Sequence, residues 1–241
     1  MKKILNIIAA AAVCTFIAMP VSAKSGVDLG YLNSSYKTKL NGSDKSTKGE
    51  PMNGFYVGVN NDVRLFAGLS IQPGLYYSYL NSMSSEEGTG FNMTGSYTEH
   101  ALNIPIHIKY TFSIVPAFGV YVFAGPTLSL GLVASDKLSV SGDLLGQQFN
   151  GSVSYNRYSG NVSANGISDD ILNNTLNQYL PSERMNRFDV LMGGGIGLDL
   201  IKFITVKGGF DYGLMNRFKG DLADTGTLNR MQFYIALGVK F

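Results

Sequence analysis

The chain has 241 residues, 45% hydrophobic and only 15% charged, with a formal net charge of +2. Soluble domains usually carry about 25% charged residues, so much of this surface faces something other than water. The near-neutral charge excludes a nucleic-acid partner held by bulk electrostatics, and the single cysteine, Cys14, excludes an intramolecular disulfide.

Lys2 and Lys3 open the chain. An apolar run follows from Ile4 to about Met19, then Pro20 and Val21-Ser22-Ala23 before Lys24. This is the layout of a secretory signal peptide, and the run is short for a helix that crosses about 30 Å of hydrocarbon. Cleavage after Ala23 is expected, leaving a signal peptide at 1–23 and one domain at 24–241. Loss of Lys2 and Lys3 takes the formal charge of +2 to zero. Cys14 leaves with the same segment. The residue before it is Val13 and the apolar run continues past it, which argues against a lipid anchor.

No later stretch approaches 18 apolar residues, so any further membrane surface must be built from strands. Alternation of apolar and polar residues, the signature of a strand with two unlike faces, recurs eight times. In chain order the strands are expected at about 26–36, 54–65, 68–80, 102–112, 119–133, 187–200, 203–216 and 231–241. The fourth is the plainest: Leu102, Ile104, Ile106, Ile108, Tyr110 and Phe112 alternate with Asn103, Pro105, His107, Lys109 and Thr111. The last sets Met231, Phe233, Ile235, Leu237, Val239 and Phe241 against Gln232, Tyr234, Ala236, Gly238 and Lys240.

The connections alternate in length. Long polar ones are expected at 37–53, 81–98, 134–186 and 217–228, and tight ones near Leu65-Phe66-Ala67, Ser113 to Phe118, and Ile201-Lys202. Long loops at one end and short turns at the other are the pattern of a bacterial outer-membrane barrel. An even strand count puts both termini at the short-turn end, the periplasmic side. Within the third long loop, Ile171, Leu172, Leu176, Tyr179 and Leu180 have helical spacing. Ser168 can cap that segment, Asp169 and Asp170 suit its first turn, and Pro181 ends it. The weak alternation of 138–158 suggests strands that continue beyond the membrane.

A soluble barrel would turn the apolar set inward, whereas three features favour the inverted arrangement. Gly193, Gly195 and Gly197 share the polar face, as suits the narrow interior of eight strands. That face also carries Asp28, Asp62, Asp189, Asp199 and Asp211 against Arg64, Lys109, Lys207 and Lys240, a nearly balanced set expected to pair as a structural network, since an unpaired buried charge is costly. Finally, Phe66, Phe112, Phe118, Phe203 and Phe241 gather at the short-turn ends, and Tyr31, Tyr77, Tyr79, Phe210, Tyr212 and Phe218 nearer the long loops, as two interfacial belts require. The fold class expected is an all-β, eight-stranded antiparallel up-and-down transmembrane barrel.

Ile71-Gln72-Pro73-Gly74-Leu75-Tyr76-Tyr77, Leu102-Asn103-Ile104-Pro105-Ile106, Tyr121-Val122-Phe123-Ala124-Gly125-Pro126 and the ending Leu237-Gly238-Val239-Lys240-Phe241 together resemble the outer-membrane β-barrel family often labelled "porin family" and common in Bacteroidetes. The terminal Phe241 resembles the signal read by the outer-membrane barrel assembly machinery. The resemblance implies the outer membrane of a Gram-negative cell and this fold, and little about activity.

No catalytic, cofactor-binding or metal-binding set emerges, and no cofactor is expected. His107 on the polar face beside Lys109 reads as structural. His100 sits at the loop end of its strand, where some barrel enzymes place catalytic groups, but two histidines without a motif make no site. Gly193-Gly194-Gly195-Ile196-Gly197 runs strand to strand and lacks the third spaced glycine of a nucleotide loop. Glu86-Glu87 and Asp169-Asp170 read as solvated loop acids, with a surface cation the alternative. Lys37, Lys39, Lys45 and Lys48 make the first loop basic, at the level of lipopolysaccharide phosphates. The function expected is that of a monomeric, non-enzymatic surface barrel whose loops meet lipid or partners. A small-solute transport barrel is the alternative, though open pores take about 16 strands. A lipid-modifying enzyme or protease is a third class.

Overall fold

The computed structural model describes residues 24–88, 91–115, 117–144, 147–166, 185–200 and 203–241. The expected signal peptide and the expected helix at 168–180 lie outside them.

Alternating side chains make a strand with one apolar and one polar face, and here eight such strands close on themselves. They are β1 (Lys24–Leu40), β3 (Met52–Phe66), β4 (Leu69–Gly88), β5 (Phe91–Val115), β6 (Phe118–Leu144), β9 (Phe188–Leu200), β10 (Ile204–Gly213) and β11 (Gly226–Lys240). Each pairs antiparallel with the next, and β11 returns to β1 with Val27 opposite Val239. Closure leaves no free edge along the wall. Outside the ring, β2 (Ser46–Lys48) lies beside the far end of β1, while β7 (Gln147–Asn156) and β8 (Val162–Asn165) continue from β6.

The faces are inverted relative to a soluble barrel. On β11, Phe233, Ile235, Leu237 and Val239 are more than half exposed, whereas Ala236 and Lys240 between and beside them are buried. The outward apolar set is the one read from the sequence.

The strands run further than the alternation suggested. β4 and β5 pair as far as Gly88 opposite Phe91, so most of the connection expected at 81–98 is a projecting hairpin. Met83 to Glu86 are exposed whichever face they lie on, so the side chains there need not alternate and the sequence signal fades. β6 and β7 project likewise, from Ser135 opposite Asn156 to Leu144 opposite Gln147, over much of the weakly alternating 138–158. The last long connection contains one short helix, α1 (Asp221–Thr225). At the other end, β3 turns into β4 through Ala67 and Gly68, with φ of 45° and 86°. Two successive positive φ values make the tight turn whose twist matches a hairpin.

Phe218 departs from its expected place in an interfacial belt. It bridges to Met185 and packs on the inner cluster of Tyr36, Tyr97, Tyr158 and Leu228. It belongs to a connection that folds over the mouth, where strand parity does not operate.

The glycines of β9 make room inside. A Cβ on Gly197 would strike the ring of Tyr121, which is 1% exposed and hydrogen-bonded through its hydroxyl to Thr205 at 2.7 Å. A Cβ on outward Gly208 would meet only the Tyr234 carbonyl, at 3.5 Å. Gly197→Ala is expected to cost about 1–3 kcal/mol and Gly208→Ala less than about 1 kcal/mol, compared by urea unfolding of the refolded barrel. Equal costs would mean that the interior is loosely filled.

Candidate functional site

Because alternation turns every other side chain inward, the lumen receives charged side chains, and among the described residues they fall in three groups. Nearest the short turns, Lys109 Nζ lies 2.8 Å from Asp62 and 3.6 Å from Asp199, and Lys240 Nζ lies 2.5 Å from the same Asp199. Farther in, Asp28 accepts hydrogen bonds from Lys207 at 2.6 Å, Tyr76 at 2.6 Å and Asn60 at 2.7 Å. Asp28 fits because its cross-strand neighbours are Gly58 and Gly238, and a Cβ on Gly238 would collide with its carboxylate. Asp211 in the same region accepts from Gln232 at 2.9 Å.

The third group closes the mouth beneath the long connections. Glu99 accepts hydrogen bonds from the hydroxyls of Tyr36 at 2.7 Å, Tyr97 at 3.0 Å and Tyr158 at 3.4 Å, and pairs with both Arg230 and Arg217, the latter at 3.4 Å. Arg230 and Arg217 also donate to Tyr36 and Tyr158, each at 2.8 Å. Asp189 stands 4.0 Å from Arg217. None of these four charged side chains is more than 1% exposed. Glu99 lies three residues beyond Leu102, outside the apolar belt of β5. Burial by itself would raise its carboxyl, but Arg230 and then Arg217, with the two nearest tyrosine hydroxyls, overcome that and hold it at about 2.

Of the nine charged residues assigned to the lumen from sequence, eight sit within these groups. Arg64 does not. It is exposed at the short-turn rim and makes no ion pair among the described residues, because β3 ends there and its register shifts between Arg64 and Phe66. Glu99, Arg217 and Arg230 were missed. Glu99 and Arg230 keep the inward parity of Ala101 and Gln232, so extending the fourth expected strand outward by three residues and the last by one would have found them. Arg217 lies in a connection, where the sequence carries no signal of its direction.

Cavities punctuate this interior among the described residues. One of about 470 Å³ opens at the short turns beside Lys24, Arg64 and Lys240. One of about 760 Å³ lies among the projecting hairpins, lined by Tyr97, Arg157, Met185 and Phe218. Between them a space of about 50 Å³ is faced by Tyr56 Oη, Asn103 Oδ1, His107 Nε2, Asp211 Oδ1 and Tyr234 Oη, none with a protein partner. That is room for about three or four waters, too narrow for an ordinary solute.

His107 stacks 5.1 Å from Phe123. His100 takes a 2.5 Å hydrogen bond with Tyr77 on the outer wall, beside Tyr79. Among the described residues neither histidine hydrogen-bonds a carboxylate or a serine hydroxyl, the contact that activates a base or nucleophile. No group of three or more His, Cys, Asp or Glu among them is arranged to hold a metal ion.

Glu99→Gln would leave two arginines buried with one carboxylate fewer. The expected loss is about 3–5 kcal/mol, read by urea unfolding. Because the folded carboxyl lies below its ordinary value of 4.5, its stabilisation is present above that value and is lost as pH falls through about 2. The ¹³C shift of the Glu99 carboxyl is expected to titrate near 2. A midpoint at 4.5 would contradict the buried ion-paired arrangement.

Comparison with known proteins bears on the whole chain. Among solved structures it is similar to the attachment invasion locus protein Ail of Yersinia pestis, at 11% identity and TM-score 0.37 over 91% of this chain and 99% of that one. It is similar to Neisserial surface protein A at 12% identity and TM-score 0.40, over 89% and 97%. The outer membrane protease OmpT of Escherichia coli follows at 10% identity and TM-score 0.42, over 92% and 97%. No curated protein sequence matches. The family model described as an outer membrane protein beta-barrel domain matches residues 21–219, and the chain belongs to that family.

Proposed function

We propose that this outer-membrane barrel is a closed, non-enzymatic surface protein whose projecting hairpins and loops meet outer-leaflet lipid or partners. One observation carries the reading: the Glu99 cluster places two fully buried arginines across the mouth, each tied by ion pairs and tyrosine hydroxyls. An ion entering there would have to break buried ion pairs, each costly to open. The groups around Asp28 and Asp199 add two further barriers, so the lumen charges act as structural ties rather than as a conduction path. The unactivated histidines support a non-enzymatic role.

In this reading the chain is exported by a signal peptide removed after Ala23, handed to the barrel assembly machinery through its Phe241-terminated last strand, and left as a monomer with both termini in the periplasm. The order of the four quoted motifs supports a place among the "porin family" barrels of Bacteroidetes type.

Planar-bilayer recording tests the closed lumen. The wild-type barrel is expected to add no reproducible conductance steps, and Glu99→Gln combined with Arg217→Ala to produce them. Steady wild-type conductance would establish a solute-passing barrel instead.

A further inference from the structure

The outward face of β1 changes character in order along the strand. Val27, Leu29 and Tyr31 are 42%, 59% and 50% exposed. Next comes Asn33, whose Nδ2 donates to Asn53 Oδ1 at 2.8 Å, while the Tyr31 hydroxyl donates to the same Asn53 oxygen, and then Ser35, which is buried. Lys37 and Lys39 follow. Tyr36 points inward to Glu99, so alternation turns the two lysines outward. β2 then sets Lys48 directly opposite Lys37, and Ser46 opposite Lys39. Directly opposed residues on one face have Cβ atoms about 4.5–5.5 Å apart, and like charges so placed repel. On the other side β11 offers only Asn229 and Thr227. Among the described residues no carboxylate lies within ion-pair distance of Lys37, Lys39 or Lys48. Three cations therefore converge on an outward face with no carboxylate paired to them among the described residues.

Their height fits an external anion. Six residues separate Lys37 from Tyr31. At about 3.3 Å per residue and a tilt near 45°, that is roughly 14 Å along the membrane normal. Lysine stems reach back toward the interface, which brings the Lys37 ammonium, and that of Lys48 opposite it, toward the headgroup layer, roughly 5–8 Å deep on each side of the hydrocarbon, with Lys39 one step above them. We infer that Lys37, Lys39 and Lys48 form a clamp for a phosphate-bearing lipid headgroup of the outer leaflet, the bound phosphate relieving the repulsion that β2 otherwise imposes. This rests on the reading that the long connections face outward.

The test uses the folded mature barrel in neutral maltoside micelles, titrated with bis-phosphorylated lipid A. Removing each lysine is expected to weaken binding about fivefold, so Lys37→Gln, Lys39→Gln and Lys48→Gln together should weaken it on the order of 100-fold. Lys24→Gln, an exposed lysine at the opposite, short-turn rim, should leave binding unchanged. Dephosphorylated lipid A should bind wild type as weakly as the phosphorylated lipid binds the triple variant, and excess inorganic phosphate should not displace the lipid. Should the triple variant fail to fold, Lys48→Gln on the edge strand is expected to show the single fivefold loss. Unchanged affinity in these variants, equal binding of the dephosphorylated lipid, or displacement by inorganic phosphate would overturn the clamp. Orientation is read separately, by labelling Ser43→Cys on intact cells with an impermeant maleimide. Labelling with unchanged lipid affinity defeats the clamp and leaves the surface reading standing, whereas absence of labelling defeats both.

Discussion

Lys207 reaches Asp28 across the lumen at 2.6 Å, and ion pairs of this kind are what the inverted barrel depends on. Eight strands enclose a space just wide enough for their own side chains. Once the apolar set faces lipid, the charged set has nowhere else to go. A charge shut in such a space is tolerable only when paired and hydrogen-bonded, so every strand must arrive with its partner at the right height. The glycines serve the same requirement. Gly197 clears space for Tyr121 and Gly238 for the Asp28 carboxylate, and neither large polar side chain would fit otherwise.

The two ends of the barrel solve different problems. At the short turns, charge is shared through Asp199, which serves both Lys109 and Lys240, and the rim stays open enough for Arg64 to remain hydrated. At the mouth, the projecting hairpins and the 217–228 connection exclude water, so Glu99 must satisfy two arginines at once, with three tyrosine hydroxyls filling its remaining acceptor sites. This arrangement fills the mouth with paired, hydrogen-bonded charge.

Much of the wall was legible beforehand. The alternation that separates Leu102 from Asn103, or Leu237 from Gly238, is local, because a strand in a barrel has one partner medium on each side. It sufficed to place eight strands in order, to orient their faces, and to assign eight lumen charges to the interior. It failed where both faces of a strand meet the same solvent. The continuation of β4 and β5 to Gly88 and Phe91 left little periodic trace, and Glu99, buried at its near end, lay beyond the last alternating apolar residue, Leu102.

Sequence by itself determined the all-β class, the count of strands in the ring and the outward apolar face, since each follows from side-chain order along one strand. Tertiary structure alone decided who pairs with whom. Lys207 and Asp28 stand 179 residues apart, and Arg230 and Glu99 131 apart, brought together by ring closure and by register between strands. Arg217, carried inward by a connection with no parity, takes its partners only from that closure. A linear pattern reports which medium a residue faces, whereas its partner across the barrel depends on how the whole sheet closes.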